Sequence, residues 1–350
     1  MRNGTTFGEF LLACRKAADN PALPLDPILQ RRGVAAGGSE AVPADGGFLV
    51  NPDHTRALIE RLYLESEVLS RCFEMPISAK GNGITYPAFD EKSRANGSRL
   101  GGVQAYWQDE ADSAIATKPK FMRGELVAKK LMGFAFCTSE LFRDADALEI
   151  FVSMALSKEL SFKLVDAIVN GDGAVRPLGV MNSGALITVA KQAGQAAGTI
   201  VAENITDLWR RCWAPSRRTA VWLAHPDAEA QCIGLTVTVG DGGAPIPLYT
   251  ATTDPDNQPY NLMLGRPVIA LEQTQVPGTP GDLMLCDFSR FAIAMKETRA
   301  DVSMDVKFLT DEMAFRLVMR VDGHPLDAYP ITPYTGTDTV SPFLAIAQRS

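Results

Sequence analysis

The longest regular pattern of apolar positions runs from Asp144 to Asn170. Leu148, Phe151, Met154, Ala155, Phe162, Val165 and Val169 recur at helical spacing, while Lys158, Glu159 and Lys163 mark a wetter side. The pattern predicts one helix over 144–170, capped by Asp144 or Asp146 and stopped by a left-handed Asn170-Gly171. At 1.5 Å per residue this is a strut of roughly 40 Å. Two alternating stretches, Ile84–Phe89 and Phe121–Val127, suit the legs of a long hairpin. The excursion over 78–125 has little core material for about 50 residues, so it is expected to project. It carries Lys92, Arg94 and Arg99, then the acidic Asp109, Glu110 and Asp112. Those charges are either solvated decoration or complementary contacts to a neighbour.

The other elements are shorter. Phe7, Phe10, Leu11, Cys14, Ala17 and Ala18 share one face of a short helix. Pro21, Pro24, Pro27 and a run of glycines follow, so 1–45 reads as an arm ordered by lying on something else, expected to be a neighbouring subunit. A helix is predicted over 53–70 with Asp53 as cap, and a strand over 72–77. Over 174–300, short helices and strands alternate. The helices are 205–211, capped by Asn204 or Thr206, and 227–235 after the His225-Pro226 turn. The strands are 220–224, 268–271, 283–286 and 291–294, with a further one at 315–321 expected to pair near the long helix. The tail over 332–350 has little periodicity and reads as a second arm. No internal repeat is visible.

A length of 350 residues suggests two or three modules, and 46% apolar with 21% charged residues is ordinary globular composition. A net charge of −7 argues against a general nucleic-acid binder but leaves room for a protein that faces DNA without gripping it. The six cysteines form no Cys-x-x-Cys pair and read as small buried hydrophobes in a reducing compartment. Phe7 to Ala18 carries Glu9, Arg15 and Lys16, so no signal-peptide core is present. No stretch approaches the roughly 18 apolar residues of a membrane helix. A soluble chain made in a cytoplasm is expected.

Catalytic constellations are not legible. His54, His225 and His324 stand far apart without metal-helix spacing, and a turn role is expected for the two that precede proline. Gly240-Asp241-Gly242-Gly243 lacks the Lys-Ser/Thr of a phosphate loop, and there is no Gly-x-Ser-x-Gly elbow. Trp209 and Trp213, four apart, read as core spacing on one helix. No catalytic, cofactor or metal site is predicted.

Seven segments nevertheless occur in a telling order. They are Gly46-Gly47-Phe48-Leu49-Val50, Trp107-x-x-Glu110, Ser139-Glu140-Leu141-Phe142-x-Asp144, and Asp166-x-x-x-x-Gly171-Asp172-Gly173-x-x-x-Pro177-x-Gly179. Ala220-Val221-Trp222-Leu223, Leu264-Gly265-Arg266-Pro267-Val268 and Arg320-Val321-Asp322-Gly323 complete the set. Over about residues 46–330 the chain resembles the major capsid proteins of tailed double-stranded-DNA phages, with their Hong Kong 97-like α+β fold. The resemblance implies an N-terminal arm at 1–45, the start of the shell domain at 46–77 and an extended loop at 78–125. A peripheral domain follows at 126–173 and 301–332 with its spine helix at 144–170, then an axial domain at 174–300 and a C-terminal tail at 333–350. It implies self-assembly as pentamers and hexamers of an icosahedral virion capsid. The other partners implied are a portal, separate scaffold or decoration proteins, and packaged double-stranded DNA met without sequence-specific contact. No cofactor and no membrane are implied. Arg94, Arg99, Trp107, Asp109, Glu110, Phe7 and Leu11 are the expected assembly contacts.

Two departures from the family pattern stand out. Some members join a lysine of the extended loop to an asparagine of a neighbour's peripheral domain. Here Lys80, Lys92, Lys118 and Lys120 are available, but no asparagine follows Asn261, so a non-covalent shell is expected. Only 45 residues precede Gly46, so a long built-in scaffold is not expected. An encapsulin-type nanocompartment, a gene-transfer-agent (GTA) capsid, and a mixed α/β enzyme of unknown chemistry are the competing readings.

Overall fold

A computed structural model of the chain describes residues 66–78, 81–107, 116–138, 145–238, 244–252, 260–307 and 312–349. The predicted arm over 1–45 and all but the end of the helix over 53–70 lie outside them. The strands, in chain order, are β1 (Phe73–Glu74), β2 (Gly83–Phe89), β3 (Phe121–Val127) and β4 (Lys129–Thr138). Next come helix α1 (Ala145–Asn170), β5 (Ile187–Val189), α2 (Ala202–Arg211), β6 (Val221–Ala224) and α3 (Pro226–Cys232). They are followed by β7 (Thr236–Thr238), β8 (Pro245–Pro247), β9 (Tyr249–Thr250), β10 (Leu262–Met263) and β11 (Arg266–Ala270). Last are β12 (Leu283–Cys286), β13 (Phe291–Lys307), β14 (Glu312–Pro325) and β15 (Phe343–Ile346). The chain divides into two compact units.

The first unit comprises 1–70, 128–164 and 295–321. Its sheet places β14 between β13 and β4. β4 runs antiparallel to β14, with Gly133 opposite Leu317 and Ala135 opposite Phe315. Period-2 alternation buries Phe315, Leu317, Met319 and Val321 on one face of β14. The helix segment with Leu156, Leu160 and Leu164 is buried too, and a Cβ added at Gly133 would meet the Leu156 side chain at 3.2 Å. The glycine thus lets helix and sheet approach closely. The sequence did not predict β4, because Leu131-Met132-Gly133-Phe134-Ala135-Phe136 is apolar at every position and shows no alternation.

The second unit comprises 71–127, 165–294 and 322–350. Its centre is a seven-stranded mixed sheet in the order β5-β15-β12-β6-β11-β10-β9. Strand β6 is buried along its whole length, as a strand covered on both faces must be. Trp222 satisfies its indole N–H on the Met263 carbonyl at 2.9 Å. Ile205 and Leu208 of α2 and Ala228 and Cys232 of α3 join this core.

The C-terminal tail corrects the sequence expectation. It is not an arm over this stretch: β15 lies between β5 and β12, and Phe343 to Ile346 are wholly buried. Four residues are too few to show a period, and Phe343-Leu344-Ala345-Ile346 reads the same as a helix segment or a buried strand. Behind it the Arg349 guanidinium and the Asp282 carboxylate pair with no solvent exposure on either side chain.

The helix terminus differs in detail from the prediction. Gly171 is not left-handed; the positive φ falls on Gly173, at 78°. Gly171 is needed for room, since a Cβ there would lie 2.0 Å from the Pro177 carbonyl oxygen and 2.4 Å from that of Ala167. The Gly179 N–H donates to the Gly171 carbonyl at 3.0 Å, and the Gly173 N–H to that of Pro177 at 3.3 Å. Asp172 accepts from the Ala174 N–H at 3.1 Å, and the Asn170 amide donates to Asp166 at 2.9 Å and to the Gln273 carbonyl at 2.7 Å. The Asp166-to-Gly179 motif is therefore a backbone knot that turns the chain out of the helix. Its spacing has a structural cause.

Three smaller readings also change. α2 starts at Ala202 with Val201 as N-cap, and Asn204 sits inside, accepting from the Val201 N–H at 3.1 Å. Trp213 lies beyond α2, at the start of a short 3-10 turn over Ala214–Arg218, so the two tryptophans do not share a helix. His324 is a strand residue rather than a turn residue: its ring stacks on Tyr86 and its Nε2 lies 3.2 Å from the Tyr86 hydroxyl.

Candidate functional site

The sheet of the first unit exposes an apolar stripe on the face opposite its buried one. Met132, Phe134 and Phe136 point the same way along β4, at the edge of the sheet among the described residues, and Phe134 and Phe136 are 57% and 50% exposed. Register places Arg316 beside Phe134 and Val318 beside Met132. Two exposed phenylalanines and a methionine in a row on an edge strand are costly to leave in water and mark a surface made to be covered.

The hairpin of the second unit carries a further exposed pair. β2 and β3 are antiparallel, with Phe89 opposite Phe121 at the outer end and Gly83 opposite Val127 at the base. The Phe89 and Phe121 rings lie 5.2 Å apart, and both side chains remain exposed. The base is fixed inside the unit: Leu126 packs with Ala292 and Ala294, and the Val127 N–H donates to Asp322 at 2.8 Å. Burial pushes the Tyr86 hydroxyl up to about 12, with a smaller push from Asp327, so it stays protonated at neutral pH.

Beyond β2 the chain is anchored on its own unit. The Arg94 N–H donates to the Thr332 carbonyl at 2.8 Å and the Thr332 N–H to that of Lys92 at 3.0 Å. The Arg94 guanidinium pairs with Glu91 at 2.5 Å and lies 5.2 Å from the Trp213 ring centre, with Arg290 at 5.6 Å from the same ring. Arg290 is itself held by Asp327 at 2.6 Å. Lys92 sits 4.4 Å from the Tyr329 ring centre and Arg99 5.8 Å from that of Tyr334. Of the expected contact residues, Arg94 and Arg99 are thus brought together on this intramolecular seat. Trp107 stands fully exposed. Asp109, Glu110, Phe7 and Leu11 lie outside the described residues. The sequence reading missed the Met132-Phe134-Phe136 stripe, because Leu131 to Phe136 is apolar at every position and no local pattern separates its exposed face from its buried one.

Chemistry is sparse. Among the described residues no group of three or more His, Cys, Asp or Glu side chains could hold a metal ion, and no helix is long and apolar enough to cross a membrane. Burial raises the thiols of Cys72, Cys212, Cys232 and Cys286 well above their ordinary value, which makes them poor nucleophiles. His225 caps α3, its Nδ1 accepting from the Asp227 N–H at 3.2 Å.

A sequence profile of the phage capsid family matches residues 46–336. The chain belongs to that family. No curated protein matches it. Among solved structures, the capsid of an empty GTA particle aligns with a TM-score of 0.57 at 15% identity, covering 95% of this chain and 98% of that one. Two phage structures are also similar. That of Microbacterium phage Oxtober96 has a TM-score of 0.52 at 16% identity, and that of Mycobacterium phage Bobi 0.51 at 14%. Each alignment covers 81% of this chain and 90% of the other. The fold of this capsid-family chain is the α+β, Hong Kong 97-like one expected from the sequence. The protein is a structural component of the capsid shell, and its place is the virion.

Proposed function

We propose that this phage capsid protein self-assembles as pentamers and hexamers into a closed icosahedral shell around double-stranded DNA, held without covalent cross-links. Residues 78–125 act as the extended loop, 126–173 and 301–332 as the peripheral domain, and 174–300 as the axial domain that meets its copies around the symmetry axes. The tail from 333 completes that axial sheet through β15. A portal and separate scaffold or decoration proteins are the further partners of this reading.

The observation that carries it, beyond family membership, is where the apolar surface lies. Several large exposed hydrophobics, among them Phe134 and Phe136 on β4, Phe89 and Phe121 at the outer end of the β2–β3 hairpin, and Trp107, offer surface for another subunit to cover. Such contacts need not be strong singly, because a shell repeats each one at every edge. A GTA capsid is the second reading, favoured by the similarity to the empty GTA particle. The test is gradient sedimentation of nuclease-treated particles followed by a denaturing gel. Fast-sedimenting particles with protected DNA and one monomer band are expected. A ladder of higher bands contradicts the non-covalent shell, and particles without DNA contradict the packaging role.

A further inference from the structure

At the two ends of strands β6 and β11 of the second unit the exposed charges differ in sign, the one carboxylate after β12 at the starting end, Asp287, being buried. The parallel strands β6 and β11 both begin at one end, and there Arg217 and Arg218 precede β6 while Arg266 opens β11. The Arg266 guanidinium donates to the Arg218 carbonyl, which joins the two starts. Arg217 donates to the Trp209 carbonyl at 2.8 Å and lies 5.3 Å from the Trp209 ring centre. Arg210, from the end of α2, is neutralised by Asp207 and Asp338. Among the described residues no carboxylate pairs with Arg217, Arg218 or Arg266, and Arg218 is exposed.

The other end of the same strands is acidic. Asp227 stands two residues beyond the His225 that follows β6, 77% exposed, with only His225 within reach at 3.6 Å. Glu272 stands just beyond β11, also exposed. The Leu271 N–H donates to the Ala224 carbonyl at 3.0 Å, which ties these two strand ends together. Asp282 at this end is cancelled by Arg349, and Glu229 is occupied by the Tyr249 hydroxyl at 2.5 Å. Lys191 is also on this side, and it follows β5 at the far edge of the sheet. The two ends are separated by a four-residue strand, about 13 Å at the usual rise.

A ring of identical subunits needs a head-to-tail contact, in which two different patches of one chain meet. In a protein of net charge −7, a patch of unpaired arginines is the exception, and a second copy supplies its complement. We infer that the Arg217, Arg218 and Arg266 end of one subunit meets the Asp227 and Glu272 end of the next within the capsomer ring. This rests on the shell reading and names the contact within it. Such pairs sit at a solvated rim, so they set register and association rate and weaken as salt rises.

The test uses full-length protein with two charge reversals, Arg218→Glu with Arg266→Glu, and Asp227→Arg with Glu272→Arg. Each variant alone is expected to lose shell yield by about tenfold or more at low salt, while circular dichroism and thermal melting show a folded subunit. Combining all four changes restores the yield. Mixing the two variants in equal amounts restores rings of six, in which acidic and basic subunits can alternate, but not rings of five, in which they cannot. Unchanged yield in both reversals overturns the inference and leaves the shell reading intact. So does a combined variant that is folded but recovers nothing. Wild-type protein that forms no shell under the same conditions overturns the shell reading itself.

Discussion

Replacing Asp282 by alanine probes the C-terminal lock of the second unit. Asp282 and Arg349 have no exposed side-chain surface, and the Arg349 Nη1 lies 3.3 Å from Asp282 Oδ1 while its Nη2 pairs with Oδ2. The same carboxylate accepts the Gly278 N–H at 2.8 Å. The Arg349 N–H donates to the Gly278 carbonyl at 2.9 Å, and its own carbonyl accepts from Gly198, also at 2.9 Å. Asp282→Ala strips a buried guanidinium of its counter-charge and orphans the Gly278 donor. Breaking a buried pair from one side costs about 3–5 kcal/mol. A loss near the middle of that range is roughly a thousandfold rise in the unfolded fraction. Replacing both partners, as Asp282→Leu with Arg349→Met, removes the uncompensated charge and is expected to return to within about 1.5 kcal/mol of wild type. The assay is urea unfolding of the unassembled subunit, read as midpoint and slope. A single-variant loss below about 1 kcal/mol refutes the argument. A double variant as unstable as the single one does the same.

The remaining predictions concern separate parts of the chain. Phe134→Ser with Phe136→Ser is expected to leave the subunit folded, with stability changed by less than about 1 kcal/mol, and to reduce shell yield in electron micrographs; normal shells contradict the role given to the β4 stripe. Gly171→Ala is expected to cost about 3 kcal/mol or more, because the clashing atoms are backbone, whereas Gly194→Ala, in open space at φ 77°, costs about 1 kcal/mol; equal melting temperatures contradict the close-approach argument. Burial lifts the Cys212 and Cys232 thiols from 9.0 to about 12, so the folded state holds protons that the unfolded chain sheds. The contribution of these two thiols is therefore flat below about pH 9 and stability falls as pH rises from there toward 12, by about 1.4 kcal/mol per pH unit for each thiol. Urea midpoints that do not move between pH 8 and pH 10 contradict this.

Much of the fold was legible because its period was long or its punctuation local. The 26 residues of α1 were legible as one long helix, but its buried face was only partly placed: Val165 and Val169 are buried as expected, whereas Ala155 and Phe162 are exposed and Leu156, Leu160, Leu164 and Ile168 line the buried side. The hairpin legs could be placed because Gly81-Asn82-Gly83 punctuates the first and alternation marks both. Strand β12 was read residue for residue, being a short apolar run between turns. β4 and β15 were missed for one physical reason: a strand that is apolar on both faces has no period, and only its neighbours across the sheet identify it. Gly171 was given the wrong reason because a sequence shows that glycine is present but not whether φ or contact distance demands it. The candidate surface was legible only in part. Trp107 stands out as a tryptophan among polar residues, whereas Arg94 meets, besides its neighbour Glu91, Trp213 and Thr332, which no local window brings to it. The charge difference between the two ends of β6 and β11 was invisible for the same reason, since it depends on these strands being parallel.

The most direct test of the central claim is negative-stain electron microscopy of the purified full-length protein over a range of concentrations. The account predicts closed shells, or rings of five and six subunits that build them. A population of monomers or dimers alone, at every concentration and with a scaffold partner supplied, would contradict it.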